Sequence, residues 1–425
     1  MTAGRGGLLK KMTNIYIWGI SLLCIAGVII RPFKWPEAVW AVAGAIALLL
    51  FRLITPQDGL NGVARGLDVY LFLTGMMLLA ETAREERLFD WLAAHATQLA
   101  RGSATRLFLL IYLVGIFVTT FLSNDATAVV LTPAVAAAMR AARVEKPLPY
   151  LLICAFIANA ASFVLPISNP ANLVIYGAQM PPLLQWVPRY CLPSLVAVGV
   201  TFFVLRRTQR TALRQPIQKD VPLLTLSMGG KWAALGIGVT AVLLLLVSAF
   251  GLQLGLPTAI AGVLTAAIVL VRGRRSPRAV LSGVSWSVLP LVAGLFVIVE
   301  ALGKTGLTGL LSGLLQRGAA HSVARTAWGS GVGIALLSNV MNNLPSGLIA
   351  GSALQTAHVP ELVKSAVLIG VDLGPNLSVT GSLATILWLV ALRREGQTIG
   401  AWAFLRLGVL VMVPALLAAL AALWI

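Results

Sequence analysis

Long apolar segments, interrupted at four places by short runs of Asn, Ser and Asp, dominate this chain of 425 residues. The stretches 235–250 and 407–425 approach the length that a helix needs to cross a bilayer. Lipid offers no hydrogen bonds, so we expect the backbone of such segments to satisfy its own polar groups as helices. The sequence is 58% hydrophobic and only 11% charged, which excludes an ordinary soluble protein. We therefore predict an all-α polytopic membrane protein.

The net charge of +18 does not indicate a nucleic-acid partner, because the basic residues cluster in short loops between apolar segments. The loops at 206–219 and 272–278 are expected to be cytoplasmic by the positive-inside rule. We predict a multi-pass protein of the inner (cytoplasmic) cell membrane. Counting spans from these loops places both termini outside, although basic residues near the N-terminus favour the opposite side for that end. The scattered cysteines form no ligand cluster, so we predict no metal site and no cofactor.

The pattern of apolar segments predicts two repeats that are inverted relative to each other. Ten spans are predicted, at 13–30, 38–54, 67–83, 148–180, 186–205, 231–250, 255–271, 284–302, 362–392 and 401–425. The predicted domains are the N-terminal spans (1–66), a first repeat (67–205), a basic linker with two spans (206–283) and the second repeat (284–425). Each repeat contains a surface helix (84–101 and 304–318), a re-entrant hairpin (105–142 and 325–357) and a broken span (148–180 and 362–392).

The two surface helices are predicted from apolar residues at three- and four-residue spacing. In the first, this stripe is Leu88, Trp91, Leu92, Ala96 and Leu99. In the second, it is Leu307, Leu310, Leu311, Leu314 and Leu315. Both helices are expected to lie at the membrane interface.

The four polar breaks carry the candidate binding residues. A hairpin that turns inside the membrane leaves helix-end N–H and C=O groups unpaired, and these groups need polar partners or a ligand. Capping alone is one explanation, but three Asn within residues 339–343 exceed what one cap needs. We expect the two hairpin tips and the two broken spans to converge near the midplane, as in transporters with internal repeats. The predicted substrate-binding residues are Ser123, Asn124, Thr127, Ser168, Asn169, Asn172, Ser338, Asn339, Asn342, Asn343, Asn376 and Ser378.

Two carboxylates lie within these breaks, Asp125 at the first hairpin tip and Asp372 in the second broken span. Desolvation at membrane depth disfavours a charged carboxylate, so such a group can take up and release a proton near neutral pH. Asp125 is the first candidate for the proton carrier. Asp372 is the second, and its alternative role is to hold the unwound loop by hydrogen bonds. Glu81 and Glu300 lie at span ends, where interfacial anchoring is the simpler interpretation.

The chain resembles the arsenite efflux pump (ArsB) family of the ion transporter superfamily. The resemblance runs over nearly the whole sequence and is carried by the segments 123–128, 165–172, 370–378 and 380–385. It implies export of arsenite and antimonite in exchange for protons, and an optional partnership with a cytoplasmic arsenite-stimulated ATPase. Sodium-coupled dicarboxylate carriers of the same superfamily have an SNT signature at both tips. Here Asp125 and Val340 replace that threonine, which argues against sodium binding.

The polar breaks offer amides and hydroxyls but no Lys or Arg, which suits an uncharged trihydroxide such as arsenous acid. We therefore predict a proton-coupled antiporter. Rocking and elevator-like movement are both compatible with the sequence, and the hairpins favour the elevator. The alternative is a sodium- or proton-coupled carrier of organic anions. A third interpretation is the channel subunit of an ATP-driven pump. An enzyme is not expected, because no metal-ligand cluster or nucleophile–base pair is visible in the sequence.

Overall fold

A computed structural model describes residues 2–219, 224–274 and 276–425. Met1, at the start of the predicted N-terminal region, lies outside the described residues, as do 220–223 and Arg275 of the predicted basic linker. The described residues fold almost entirely into helices, and no strand occurs among them. The prediction of an all-α membrane protein is confirmed.

The first half of the chain contains eleven α-helices among its described residues. They are α1 (Thr2–Ile30), α2 (Glu37–Leu50), α3 (Pro56–Arg65), α4 (Leu67–Glu85), α5 (Leu88–Leu99), α6 (Ala104–Phe121), α7 (Asn124–Ala126), α8 (Thr132–Ala141), α9 (Leu148–Ala160), α10 (Pro170–Tyr176) and α11 (Leu183–Thr208). A π-helical turn, Thr127–Leu131, joins α7 to α8. The first polar break thus separates α6 from α7, and the second separates α9 from α10.

The described residues of the second half repeat this order of elements. They form α12 (Met228–Ala249), α13 (Gly255–Gly273), α14 (Arg278–Gly283), α15 (Val288–Lys304), α16 (Leu307–His321), α17 (Val323–Met341), α18 (Asn343–Thr356), α19 (Glu361–Leu373), α20 (Leu383–Arg394) and α21 (Ala401–Ala422). The third break lies between α17 and α18, and the fourth between α19 and α20. That the halves are inverted relative to the membrane remains a prediction.

By length and apolar character, six helices of the described chain can cross a membrane: α1, α6, α11, α12, α13 and α21. The number rises to eight if α3 with α4, bent by 47°, and α15 with α16, bent by 73°, each count as one span. Fewer spans than the predicted ten meet this criterion, because the broken spans are divided into short helices such as α9 and α10.

The predicted span 38–54 is wrong at its end, because α2 stops at Leu50 and a separate helix, α3, follows. A capping box starts α3: the Thr55 hydroxyl accepts from the Asp58 N–H, and the Asp58 carboxylate accepts from the Thr55 N–H. The sequence prediction missed α3 because its composition is too polar to resemble a span.

The predicted surface helices differ from expectation in the face that they bury. In α5, Leu99 is 58% exposed, and the buried face is formed by Leu88, Phe89, Ala93 and Ala96. Leu99 therefore lies outside the face that α5 packs against α6 and α8. In α16, Leu310 and Leu314 point outward.

The two halves interlock through close contacts at two glycines. In α4, a Cβ added at Gly75 would lie 2.1 Å from the Thr258 carbonyl oxygen of α13. In α15, a Cβ added at Gly294 would lie 2.7 Å from the Ala41 carbonyl oxygen of α2. In both cases, a glycine lets the backbone of one helix contact the backbone of a helix from the other half: α4 contacts α13, and α15 contacts α2. Small residues allow this approach, which drives helix association where lipid surrounds the protein.

We expect Gly75→Ala and Gly294→Ala each to destabilise the protein by about 1–3 kcal/mol, because the added methyl group overlaps with backbone that cannot move aside easily. Gly238→Ala in α12 is the matched control, since a Cβ there has no atom within 4 Å. Thermal unfolding of the purified protein in detergent measures the effect. Equal midpoints for all three variants would contradict the close packing.

Candidate functional site

The first hairpin tip is held by its own polar side chains and by the first broken span. The Ser123 hydroxyl accepts from the Ala126 N–H at 3.1 Å and so caps α7. The hydroxyls of Thr119 and Thr127 lie 2.7 Å apart and tie the two arms together. From the broken span, the Ser168 hydroxyl donates to the Thr120 carbonyl oxygen at 3.0 Å. The first hairpin tip and the first broken span are therefore joined into one structural unit.

The two broken spans are joined across the halves by buried amide groups. The Asn159 side-chain amide donates to Asn376 Oδ1 at 3.0 Å and to the Thr385 hydroxyl at 3.3 Å. The Asn169 amide donates to Asp372 Oδ1 at 2.7 Å. Each of these side chains is at most 3% exposed. Buried polar groups at this depth need such partners, so the contacts fix the relative position of the breaks.

The second hairpin tip joins the second broken span through Asn339. Its amide donates to the Gly374 carbonyl oxygen at 2.9 Å, and its Oδ1 accepts from the Ser378 hydroxyl at 2.8 Å. The tip approaches the break so closely that a Cβ at Gly381 would lie 2.7 Å from Asn339 Oδ1. The Asn343 N–H donates to the Gly381 carbonyl oxygen at 2.8 Å. Tip and break are again one unit.

Several predicted binding residues serve as caps and braces in this conformation. Asn342 Oδ1 accepts from the Leu344 N–H, and the Ser338 hydroxyl contacts the Ser346 hydroxyl at 2.9 Å. Asn172 donates to the carbonyl oxygens of Ser162 and Pro166. Asn124 Oδ1 accepts from the Asp125 N–H. Hydrogen bonds thus connect the first tip, the first broken span, the second broken span and the second tip in that order. Five of the twelve predicted residues bond only within their own tip or broken span in the described structure: Ser123, Asn124, Thr127, Asn172 and Ser338.

Within this network, three buried amide or carboxylate oxygens have no hydrogen-bond partner among the described residues: Asn159 Oδ1, Asn172 Oδ1 and Asp372 Oδ2. An unpaired buried polar atom is unfavourable, so each needs a donor in some state of the protein. A bound hydroxyl compound or, at Asp372, a proton on the carboxyl group can meet this need. Among the described atoms of the network, these three unpaired acceptors outnumber the one unpaired hydroxyl that can donate, that of Thr120.

The two aspartates occupy different environments. Asp372 is fully buried, whereas Asp125 is half-buried and lines a cavity of about 60 Å³ with Ser123 and Glu81. Glu81 accepts from the Arg84 guanidinium at 2.9 Å, and its role as an interfacial anchor remains a prediction. A second, larger cleft of about 730 Å³ lies between α15 and α18 and is lined by Glu300. Glu300 pairs there with Arg65 at 2.6 Å.

Sequence reasoning did not list several polar residues that complete the network. They are Thr119, Thr120, Asn159, Ser162, Ser346, Thr380 and Thr385. Thr119 and Thr120 directly precede the first tip, and Thr380 and Thr385 follow the second break, so their position beside a break was the signal available. Ser162 contributes its backbone carbonyl, which side-chain chemistry does not reveal.

Comparison with known proteins identifies relatives over most of the chain. Residues 25–371 match the family model CitMHS, described as a citrate transporter. The arsenical pump membrane protein of Yersinia enterocolitica is 32% identical over 352 residues, which cover 80% of this chain and 82% of the relative. The protein of the same description from Escherichia coli K12 is 30% identical over 430 residues, or 95% and 97% of the two chains.

Two solved transporter structures share the fold. The YdaH transporter of Alcanivorax borkumensis gives a TM-score of 0.59 at 15% identity, with 97% of both chains covered. MtrF of Neisseria gonorrhoeae gives 0.55 at 13% identity, with 97% of this chain and 94% of MtrF covered. The chain therefore shares the fold of these two structures.

We expect Asn376→Ala to destabilise the protein by about 1–3 kcal/mol, because it leaves the Phe156 carbonyl oxygen and the Asn159 amide without this partner. Asn61→Ala is the control, since the one side-chain hydrogen bond of Asn61 within the described structure is to Gln57 on an exposed helix face. Its effect should stay within about 0.5 kcal/mol. Chemical or thermal unfolding in detergent distinguishes the two, and a neutral Asn376→Ala would show that the link between the breaks carries little stability.

Proposed function

The chain belongs to the citrate transporter (CitMHS) family and to the arsenical pump membrane proteins, and on this basis we propose that it exports arsenite and antimonite as neutral trihydroxides in exchange for protons. The observation that carries the proposal is the composition of the buried network. Among the described residues, it contains amides, hydroxyls and the Asp372 carboxylate, with the half-buried Asp125 beside it, but no Lys or Arg. Such a site offers no fixed cation to an anionic substrate.

The unpaired acceptors support a substrate that donates hydrogen bonds. Arsenous acid and its antimony counterpart carry three hydroxyl groups, which can donate to Asn159 Oδ1, Asn172 Oδ1 or Asp372 Oδ2. The substrate-binding role extends to the twelve residues predicted from the sequence. Thiolates would hold trivalent arsenic too tightly for release, and a conducting site must release its substrate. Cys154, in α9, is fully buried and contributes no bond to the network.

Proton coupling is assigned to Asp125 and Asp372. Asp372 has one oxygen bonded to Asn169 and one without a partner, so its charged form is poorly compensated in a buried site. A proton on that free oxygen removes the charge and creates a donor. Asp125 faces a cavity and can exchange its proton there with water. Substrate and proton would then compete for the same acceptors, which couples their movement in opposite directions.

Each hairpin tip forms a unit with the broken span of the same half. Movement of these two units relative to α4 and α15 would expose the site to one side of the membrane at a time. Ser123 and Asp125 line the cavity beside Glu81, whereas the cleft beside Glu300 reaches α18. We place the protein in the inner membrane. A cytoplasmic ATPase can act as its partner without altering this site.

A carrier of organic anions is the second candidate, favoured by the description of the matching family model as a citrate transporter. Carboxylates of such a substrate could accept bonds from helix N-termini at the tips. Binding of citrate or succinate, with none of arsenite, would decide for this candidate.

In everted vesicles with an imposed proton gradient, we expect arsenite uptake that an uncoupler abolishes. Proton-transferring groups contribute about 10²–10⁴-fold to rates, so Asp125→Asn with Asp372→Asn should reduce uptake by roughly 100-fold. Arsenite–arsenite exchange, which needs no net proton transfer, should persist. Asp90→Asn is the control, because Asp90 pairs with Arg87 at the surface of α5. Uptake that survives the uncoupler or the double substitution would refute the coupling.

A further inference from the structure

An apolar, outward-facing stripe runs along α11 and ends at a group of arginines. Leu192, Leu195, Gly199 and Phe203 follow one another at three- and four-residue spacing, so they share one face of the helix. Leu195 and Phe203 are each 65% exposed. Gly199 leaves this face open, since an added Cβ would have no atom within 4 Å.

The stripe leads into a depression of about 450 Å³ lined by Arg206, Arg207, Arg210 and Arg214. Phe203 and Thr105 also line it. None of the four guanidinium groups has an ion-pair partner among the described residues. Arg140, at the end of α8, is by contrast paired with Glu395. Four unpaired positive charges around one depression repel each other unless an anion binds there.

The N-terminus of α6 adds to the positive potential of this depression. Thr105 is the second residue of this 18-residue helix, whose first N–H groups are unpaired apart from the Ser103 cap. The short helical turn Ala212–Arg214 packs against α6 and brings Arg214 to that end. Helix N-termini favour anions, phosphate groups above all. The arginines and the helix end are independent features that call for the same ligand chemistry.

We propose that this depression binds the phosphodiester headgroup of an anionic phospholipid, with an acyl chain lying along the stripe over Gly199. α11 is long and apolar enough to span the membrane, and the arginines stand at its C-terminal end, where lipid headgroups lie. Free phosphate would use the arginines but not the stripe. An acidic protein surface would likewise leave the stripe unexplained. The proposal does not depend on the transported substrate.

Bound lipid would stabilise the part of the fold that carries the breaks. α11 packs against α9 and α21, and α21 in turn contacts the second broken span. A Cβ at Gly408 of α21 would lie 2.4 Å from the Leu377 carbonyl oxygen, so these backbones touch. A ligand that binds only the folded protein raises its unfolding temperature.

Native mass spectrometry and thermal unfolding of the full-length protein, titrated with phosphatidylglycerol or phosphatidylcholine, test the proposal. We expect phosphatidylglycerol to bind more tightly and to raise the unfolding temperature. Each basic residue near a membrane contributes about 1 kcal/mol to anionic-lipid binding, so Arg206→Gln with Arg210→Gln should weaken it roughly 30-fold. The matched control is Arg393→Gln with Arg394→Gln, two exposed arginines at the end of α20, which should bind as the unmodified protein does.

Gly199→Leu separates lipid from other anions. An added Cβ has no atom within 4 Å, and the Leu side chain would extend into the groove. Phosphatidylglycerol binding should therefore fall while any binding of inorganic phosphate stays the same. Unchanged lipid binding in Gly199→Leu, together with phosphate binding as tight as that of lipid, would replace the proposal by a free-anion site. Equal affinity for both lipids, or equal loss in both arginine pairs, would overturn it as well. If the arginine variants keep lipid but lose binding to a soluble acidic peptide, the surface is a protein-docking site.

Discussion

The hydrogen bonds between the two broken spans are the contacts on which the interior depends. A helix interrupted in a membrane protein exposes backbone groups that lipid cannot satisfy. Here Asn side chains supply the missing partners: Asn376 donates to the Phe156 carbonyl oxygen, and Asn172 to the carbonyl oxygens of the loop that precedes it. Because Asn159 and Asn169 reach into the other half, neither break can shift without breaking a bond in its counterpart. The polar residues are thus first a scaffold, and their remaining unpaired atoms define what the site can accept.

Glycines make this arrangement sterically feasible. Gly75 and Gly294 bring α4 and α15 onto helices of the opposite halves, and Gly374 brings the second break within 2.6 Å of the Ala335 carbonyl oxygen, measured from an added Cβ. These contacts lock α4 with α13 and α15 with α2, while the tips and breaks form separate units that bond mainly to one another. The cavities beside Glu81 and Glu300 lie between these two sets of elements. Alternating access requires one part of a transporter to move against another. The interfaces between the locked helices and the units of tips and breaks are where such movement can occur.

The sequence predicted the all-helical membrane fold and the positions of the breaks, because apolar runs and Asn-rich interruptions are local signals. The bounds of α4 and α13 agree with the predicted spans to within two residues. It could not predict α3, whose polar capping box resembles a loop, or the buried face of α5, which depends on the helices that pack around it. It also could not specify which atoms in the site stay unpaired. That Asn159 Oδ1 lacks a donor while its amide has two acceptors follows from tertiary geometry, which no spacing of residues encodes.

The most consequential asymmetry between the halves lies at equivalent positions of α9 and α19. Both helices have 13 residues, and Asn159 and Asp372 each occupy the place before the last. Each bonds across to an asparagine in the break of the other half, Asn159 to Asn376 and Asp372 to Asn169. One half therefore has an amide where the other has an ionisable carboxyl group of the same shape. The Asn169 amide donates to Asp372 Oδ1, and the side-chain oxygen of an Asn can accept this bond equally. Exchanging Asp372 for Asn should therefore retain the Asn169 bond and the fold while removing the titratable proton. In the first half, the uncharged amide of Asn159 is sufficient to join the two breaks. The ionisable carboxyl group of Asp372 is therefore not required for the structure, and this leaves it available for proton transfer.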